Sequence, residues 1–228
     1  MLRADYGSLA PRARALVQLA VTLTAQPWAL TQEELADARH QGLDEEQIEA
    51  AIGVISMFNY FTRVADATGI ELDYLTPLPA FQPDLGQVTA PRPERLVSSR
   101  RPAGPRGRPR HERLKVAWES WRSYVLETDD LLSPRQRRLL AAVAAEETAD
   151  SAGAEALGEL ISGPDSDGPL IAFARKLSRE PWRMRQEDLE HLRALGYQDK
   201  AILHMITVVA HQNADSRLVL GLGAASGS

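Results

Sequence analysis

One stretch of this chain occurs twice. Residues 16–69 and 170–223 align without a gap at a constant offset of 154, and 16 of the 54 paired positions are identical. The identities include Pro27/Pro181, Trp28/Trp182, Arg39/Arg193, Gly42/Gly196, Ile52/Ile206, Asn59/Asn213 and Arg63/Arg217. Conservative pairs such as Thr24/Ser178 and Glu34/Asp188 fall between them. A match this long without an insertion implies that one structural unit was duplicated.

The local signals inside the repeat are helical. Pro11 suits a first helical position, and Leu16, Leu19, Ala20 and Leu23 recur at helical spacing, predicting a helix over 11–25 that Pro27 ends. Thr31 with Glu34 forms a capping box for a short helix over 32–40, and Gly42 is its stop. Asp44 with Gln47 starts a long helix whose apolar stripe is Ile48, Ala51, Ile52, Ile55 and Phe58. It reaches Thr68, about 36 Å at 1.5 Å per residue, and Gly69 ends it. The second copy has weaker caps, with Arg185 in the place of Thr31 and Gln198 in that of Asp44. Trp28 and Trp182 are expected to plug the core at a helix junction.

Between the copies, eight prolines from Pro77 to Pro109 forbid regular structure over 76–110, and seven arginines from Arg92 to Arg110 make its later part basic. It reads as a solvated linker. It has no interleaved aromatics from Val97 to Arg110, so the stacking that nucleic-acid binding uses is absent. Helical pattern returns over 112–127, with Leu114, Trp118, Trp121 and Val125 on one face. Ser133-Pro134 with Gln136 starts another helix, expected to reach Leu160. Residues 162–169 read as a connecting turn, and the tail after Gly223 as frayed. No stretch alternates with period two, so the fold class is all-α. The organisation is a partial helical unit over 1–75, a Pro/Arg-rich linker over 76–110, a fuller unit over 111–223 and a flexible tail over 224–228.

The chain has no cysteine, which excludes disulfides, thiolate metal sites and cysteine nucleophiles. The formal net charge of −5 argues against whole-protein affinity for nucleic acid or anionic membrane. No apolar run is long enough to span a bilayer, and the N-terminus lacks an apolar leader, so a cytoplasmic location is expected. No cofactor and no metal site is expected. His204 and His211 lie seven apart, without a carboxylate ligand on their face other than Asp215.

The run Ser133-Pro134-Arg135-Gln136-Arg137-Arg138-Leu139-Leu140, followed by the repeat with Leu-Ser-Arg-Glu-Pro-Trp and Asn213-Ala-Asp-Ser-Arg217, resembles the alkylhydroperoxidase D-like (AhpD-like) superfamily. The likeness extends over roughly 11–75 and 112–223. It is nearest to the peroxidase-related branch of the carboxymuconolactone decarboxylase group. It implies tandem helical-bundle units, the first of them partial, and a thiol peroxidase site built on a CxxC pair after the Ser-Pro-Arg start. At that place this chain has Thr148 and Ser151, with Glu155 at the histidine position and Gln136 near the upstream glutamate. Hydroxyls form no disulfide, so thiol peroxidase activity is not expected.

The decarboxylase side of the superfamily needs no thiols. It leaves open an acid–base enzyme acting on a small organic acid. Glu146, Glu147, Glu155, His204 and His211 are its candidates, and Glu147, Ser151 and His211 stand first: Glu147 and Ser151 are i, i+4 on the expected helix. The remaining reading is a non-catalytic binding or scaffold protein that keeps the fold for assembly or for capture of a small-molecule ligand. Asn59/Asn213 and Arg63/Arg217 are also i, i+4 pairs. Their presence in both copies fits a structural role, with each arginine bonding carbonyls or a carboxylate at a helix end. A homo-oligomer is expected, since the partial unit leaves apolar faces to cover.

Overall fold

The computed structural model describes residues 8–70, 107–158 and 167–226, and all regular structure among them is helical. Helix α1 spans Pro11–Ala25, α2 Gln32–His40 and α3 Glu45–Thr68. Helices α4 (Glu112–Glu127), α5 (Pro134–Glu147) and α6 (Ser151–Leu157) follow. Helices α7 (Gly168–Arg179), α8 (Gln186–Ala194) and α9 (Asp199–Ser226) complete the chain. The repeat is visible in the element order. One 3-10 turn, Pro27–Ala29, joins α1 to α2, and another, Pro181–Arg183, joins α7 to α8.

The expected caps form. Thr31 and Glu34, Asp44 and Gln47, and Ser133 and Gln136 each close a reciprocal capping box. At Arg185 the other half remains: its backbone N–H donates to Asp188. Gly42 and Gly196 take φ of +98° and +94° at equivalent chain reversals, which explains why glycine stands at both.

Helices α3 and α9 form the most extensive helix pair and cross antiparallel. Ile52 in the first half of α3 lies against Gly221 near the end of α9, where an added Cβ would come within 2.7 Å of the Ile52 Cγ2. Because they cross, each long helix feeds both cores. The first core joins Leu19, Leu23, Leu35, Ile48 and Ile52 to Leu218 and Leu222 from the end of α9. The second joins Leu140, Val143, Phe173, Leu177 and Met205 to Ala67 from the end of α3.

At the crossing sit the repeated polar pairs, and their contacts are reciprocal. The Arg63 Nη1 donates to the Asn59 backbone and side-chain oxygens, and its Nη2 donates to the Ser178 carbonyl at 3.1 Å. The Arg217 Nη1 donates to the same two oxygens of Asn213, and its Nη2 donates to the Thr24 carbonyl at 2.9 Å. Asn59 and Asn213 in turn donate to the hydroxyls of Thr24 and Ser178. Thr24 and Ser178 occupy the last turns of α1 and α7, where the helix dipole favours a cation. Each arginine thus belongs to one copy and caps a helix of the other. The sequence-level expectation of arginines on carbonyls at helix ends holds at both sites.

Several expectations need correction. The helix over 134–160 is two helices, because the chain breaks at Thr148–Asp150 with Ala149 at φ +56°. Residues 224–226 continue α9, and Ala225 is buried in the first core, so this part of the tail is structured. Pro27 and Pro181, and not the tryptophans, fill the junctions; Trp28 is half-buried and Trp182 exposed. Phe58 and Leu114 face outward from their expected core stripes. The Pro/Arg-rich linker, apart from 107–110, and most of the 162–169 turn lie outside the described residues.

Replacing Arg217 with Met leaves the Asn213 amide oxygen and the Thr24 carbonyl without their donor. It should lower unfolding stability by about 3 kcal/mol in urea titration. Arg217→Lys should recover less than half of that, because one ammonium cannot span both sets of acceptors.

Candidate functional site

Of the residues singled out for chemistry, Glu147, Thr148 and Ser151 lie at the α5–α6 turn, whereas His211 lies on α9 against the indoles of α4. Glu147 is the last residue of α5 and is buried. Its carboxylate accepts from the Arg175 Nε at 3.0 Å and from the Arg179 Nε, both on α7. Thr148 caps α5: its hydroxyl donates to the Ala144 and Ala145 carbonyls. Asp150 caps α6, accepting from the Gly153 N–H and from the Ser216 hydroxyl on α9. Ser151 is the first residue of α6 and is half-buried. The break in the helix means that Glu147 and Ser151 do not share a helix face, which corrects the i, i+4 expectation.

His211 is fully buried in α9, and neither ring nitrogen has a hydrogen-bond partner. It packs edge-on against Trp121 at 4.5 Å between centroids, with Trp118 beyond at 6.1 Å. Burial pushes its pKa down to about 4; the Asp215 carboxylate acts against this and Arg122 with it. The imidazole is therefore neutral at physiological pH. Asp215, one turn on, accepts from the Trp118 indole N–H at 2.8 Å. No hydrogen bond links His211 to Glu147 or Ser151.

The other candidates are dispersed. Glu155 is exposed on α6. Gln136 both caps α5 and donates to the Tyr197 hydroxyl. The His204 Nδ1 lies 2.9 Å from the Arg137 guanidinium, which also donates to Asp130 and the Val125 carbonyl. Among the described residues, no three His, Asp or Glu side chains gather as a metal-ion site. No described helix is long and apolar enough to cross a membrane.

Two features were not anticipated from the sequence. One is the Glu147–Arg175–Arg179 cluster, whose arginines sit on a helix remote in sequence. The other is an open apolar groove of about 840 Å³ between α3 and α4. Ala50, Gly53, Val54 and Met57 form one wall, with Leu114, Trp118 and Trp121 opposite and Glu46 and Arg110 at its end. The signal for this groove was present in the repeat, where Met57 stands at the place of His211 and Phe58 at that of Gln212.

Comparison with known protein families, with curated proteins and with solved structures finds no match.

The His211 geometry fixes a pH dependence. Its folded pKa of about 4 lies below the unfolded value, so between the two the unfolded chain binds the extra proton. Its contribution to stability is full above about pH 6.5 and falls by about 3 kcal/mol as pH drops toward 4. Denaturation midpoints across this range should show that loss in the native chain and lack this component in His211→Leu.

Proposed function

We propose that this chain is a cysteine-free relative of the alkylhydroperoxidase D-like and carboxymuconolactone decarboxylase fold that acts by binding and assembly. Catalysis at the α5–α6 turn is not part of this reading. The observation that carries it is the state of the polar groups there. A general base must reach a substrate proton, and a nucleophile needs a base within hydrogen-bond reach. The Glu147 carboxylate is instead clamped between Arg175 and Arg179, and the Thr148 hydroxyl is spent on helix carbonyls. Asp150 holds α6 to α9 through Ser216. His211 lies behind two indoles, away from solvent. Glu147, Thr148 and Asp150 each have a structural task that a decarboxylase-type reaction would have to break, and His211 is sealed from any substrate.

The same arrangement supports a scaffold role in a positive sense. The carboxylates, hydroxyls and indoles join α4, α5, α6 and α7 to α9, which leaves the α3–α4 groove as the broad apolar opening among the described residues. Purified protein given an organic hydroperoxide and a dithiol donor should show no turnover above buffer. Turnover that disappears in Glu147→Gln while the fold is retained would overturn the proposal.

A further inference from the structure

The two copies of the repeat invert the usual relation between burial and polarity on one face of the long helix. On α9, Gln212 and Asp215 are 1% and 4% exposed; Gln212 donates to Ser216 one turn on in the same helix, and Asp215 accepts from Trp118 of α4. Their counterparts on α3 are Phe58 and Phe61, which are 63% and 52% exposed. The buried His211 likewise corresponds to the half-exposed Met57, and Thr207 to Gly53. An ordinary duplicated helix would carry its polar residues on the copy that faces water. Here the open copy is the apolar one, which marks this face as built for contact.

The face also has a self-complementary order. Ala50, Gly53, Val54, Met57, Phe58 and Phe61 fall on one side of α3, with the small residues toward its start and the large ones toward its end. If two such helices meet antiparallel about a two-fold axis, Ala50 stands opposite Phe61, Gly53 opposite Phe58 and Val54 opposite Met57. Large meets small at each level, and every contact is made twice, as an isologous interface requires. The apolar groove beside Ala50 and Gly53 is where the partner's phenyl rings would enter. Phe58 and Phe61 stand edge to face at 6.5 Å, ready to enter as a pair. In this register Glu45 and Asp66 come together. Glu45 keeps its own ion pair with Arg39, and burial raises the Asp66 pKa against the opposing Arg63 charge, so this pairing of acids is the costliest contact of the register.

We infer that the exposed face of α3 is the interface through which two copies of this chain form a symmetric dimer, with Phe58 and Phe61 of each copy seated in the α3–α4 groove of the other. This stands apart from the question of catalysis, since no residue of the α5–α6 turn takes part. The absence of native cysteine supplies a clean test. Copies carrying Ala50→Cys mixed with copies carrying Phe61→Cys should give a disulfide-linked dimer under mild oxidation. Either variant alone should not, because its two thiols would lie about 16 Å apart along the helix axis, beyond disulfide reach. Sedimentation should find a dimer for the native chain and a monomer with unchanged helix content for Phe58→Glu/Phe61→Glu. A native chain that sediments as a monomer would overturn the inference. So would a dimer indifferent to the Phe58→Glu/Phe61→Glu change, or equal cross-linking in the single-variant samples.

Discussion

Two buried guanidinium groups hold this molecule in one arrangement. Burying an arginine without a carboxylate bonded to it is costly: burial lowers the Arg63 pKa to about 10, and burial together with the Arg63 charge holds Arg217 well below its ordinary value. The cost is offset because each cation finds an asparagine one turn back and the carbonyl end of a helix from the other copy. A charge placed at a helix C-terminus is in a favourable field, and its hydrogen bonds are charge-assisted. Once those contacts form, the crossing of α3 and α9 is fixed. From that crossing follows the sharing of both cores, since each long helix ends in the core that the other copy begins.

The two copies of the repeat differ in line with what covers each of them. The crossing needs an asparagine, an arginine and a hydroxyl residue in each copy, and both copies have them, with Thr24 in one and Ser178 in the other. Away from it, α9 is covered by α4 and α5, whereas the matching face of α3 is not. Gln212, His211 and Asp215 have neighbours that satisfy or enclose them, so polar side chains became tolerable there. Phe58, Met57 and Phe61 have no such cover within the described chain, yet they are apolar. The acidic and hydroxyl groups near the α5–α6 turn follow the same logic: Glu147, Thr148 and Asp150 tie helix ends to each other.

How much of this could be read beforehand depended on the range of the interaction. Capping boxes at Thr31, Asp44 and Ser133 are contacts over three residues and were legible, as were the stops at Gly42 and Gly69. The asparagine–arginine pairs were recognisable as structural because they recur, but their acceptors lie 115 and 193 residues away and no local pattern names them. The break after Glu147 was hidden for a different reason. It uses Ala149 in a left-handed conformation that glycine would have advertised, and Asp150 read as one more polar residue in a helix. The outward turn of Phe58 was lost because helical periodicity finds an apolar stripe without saying how wide the covered part is.

The crossing can be tested by native-state hydrogen exchange read helix by helix. If the reciprocal arginines bind the two copies into one cooperative structure, the central amides of α3 and α9 should exchange with the same free energy, equal to that of global unfolding. Both should fall together in Arg63→Met. Exchange of α1–α3 at a much lower free energy than α9, with α9 unaffected by that substitution, would contradict the account.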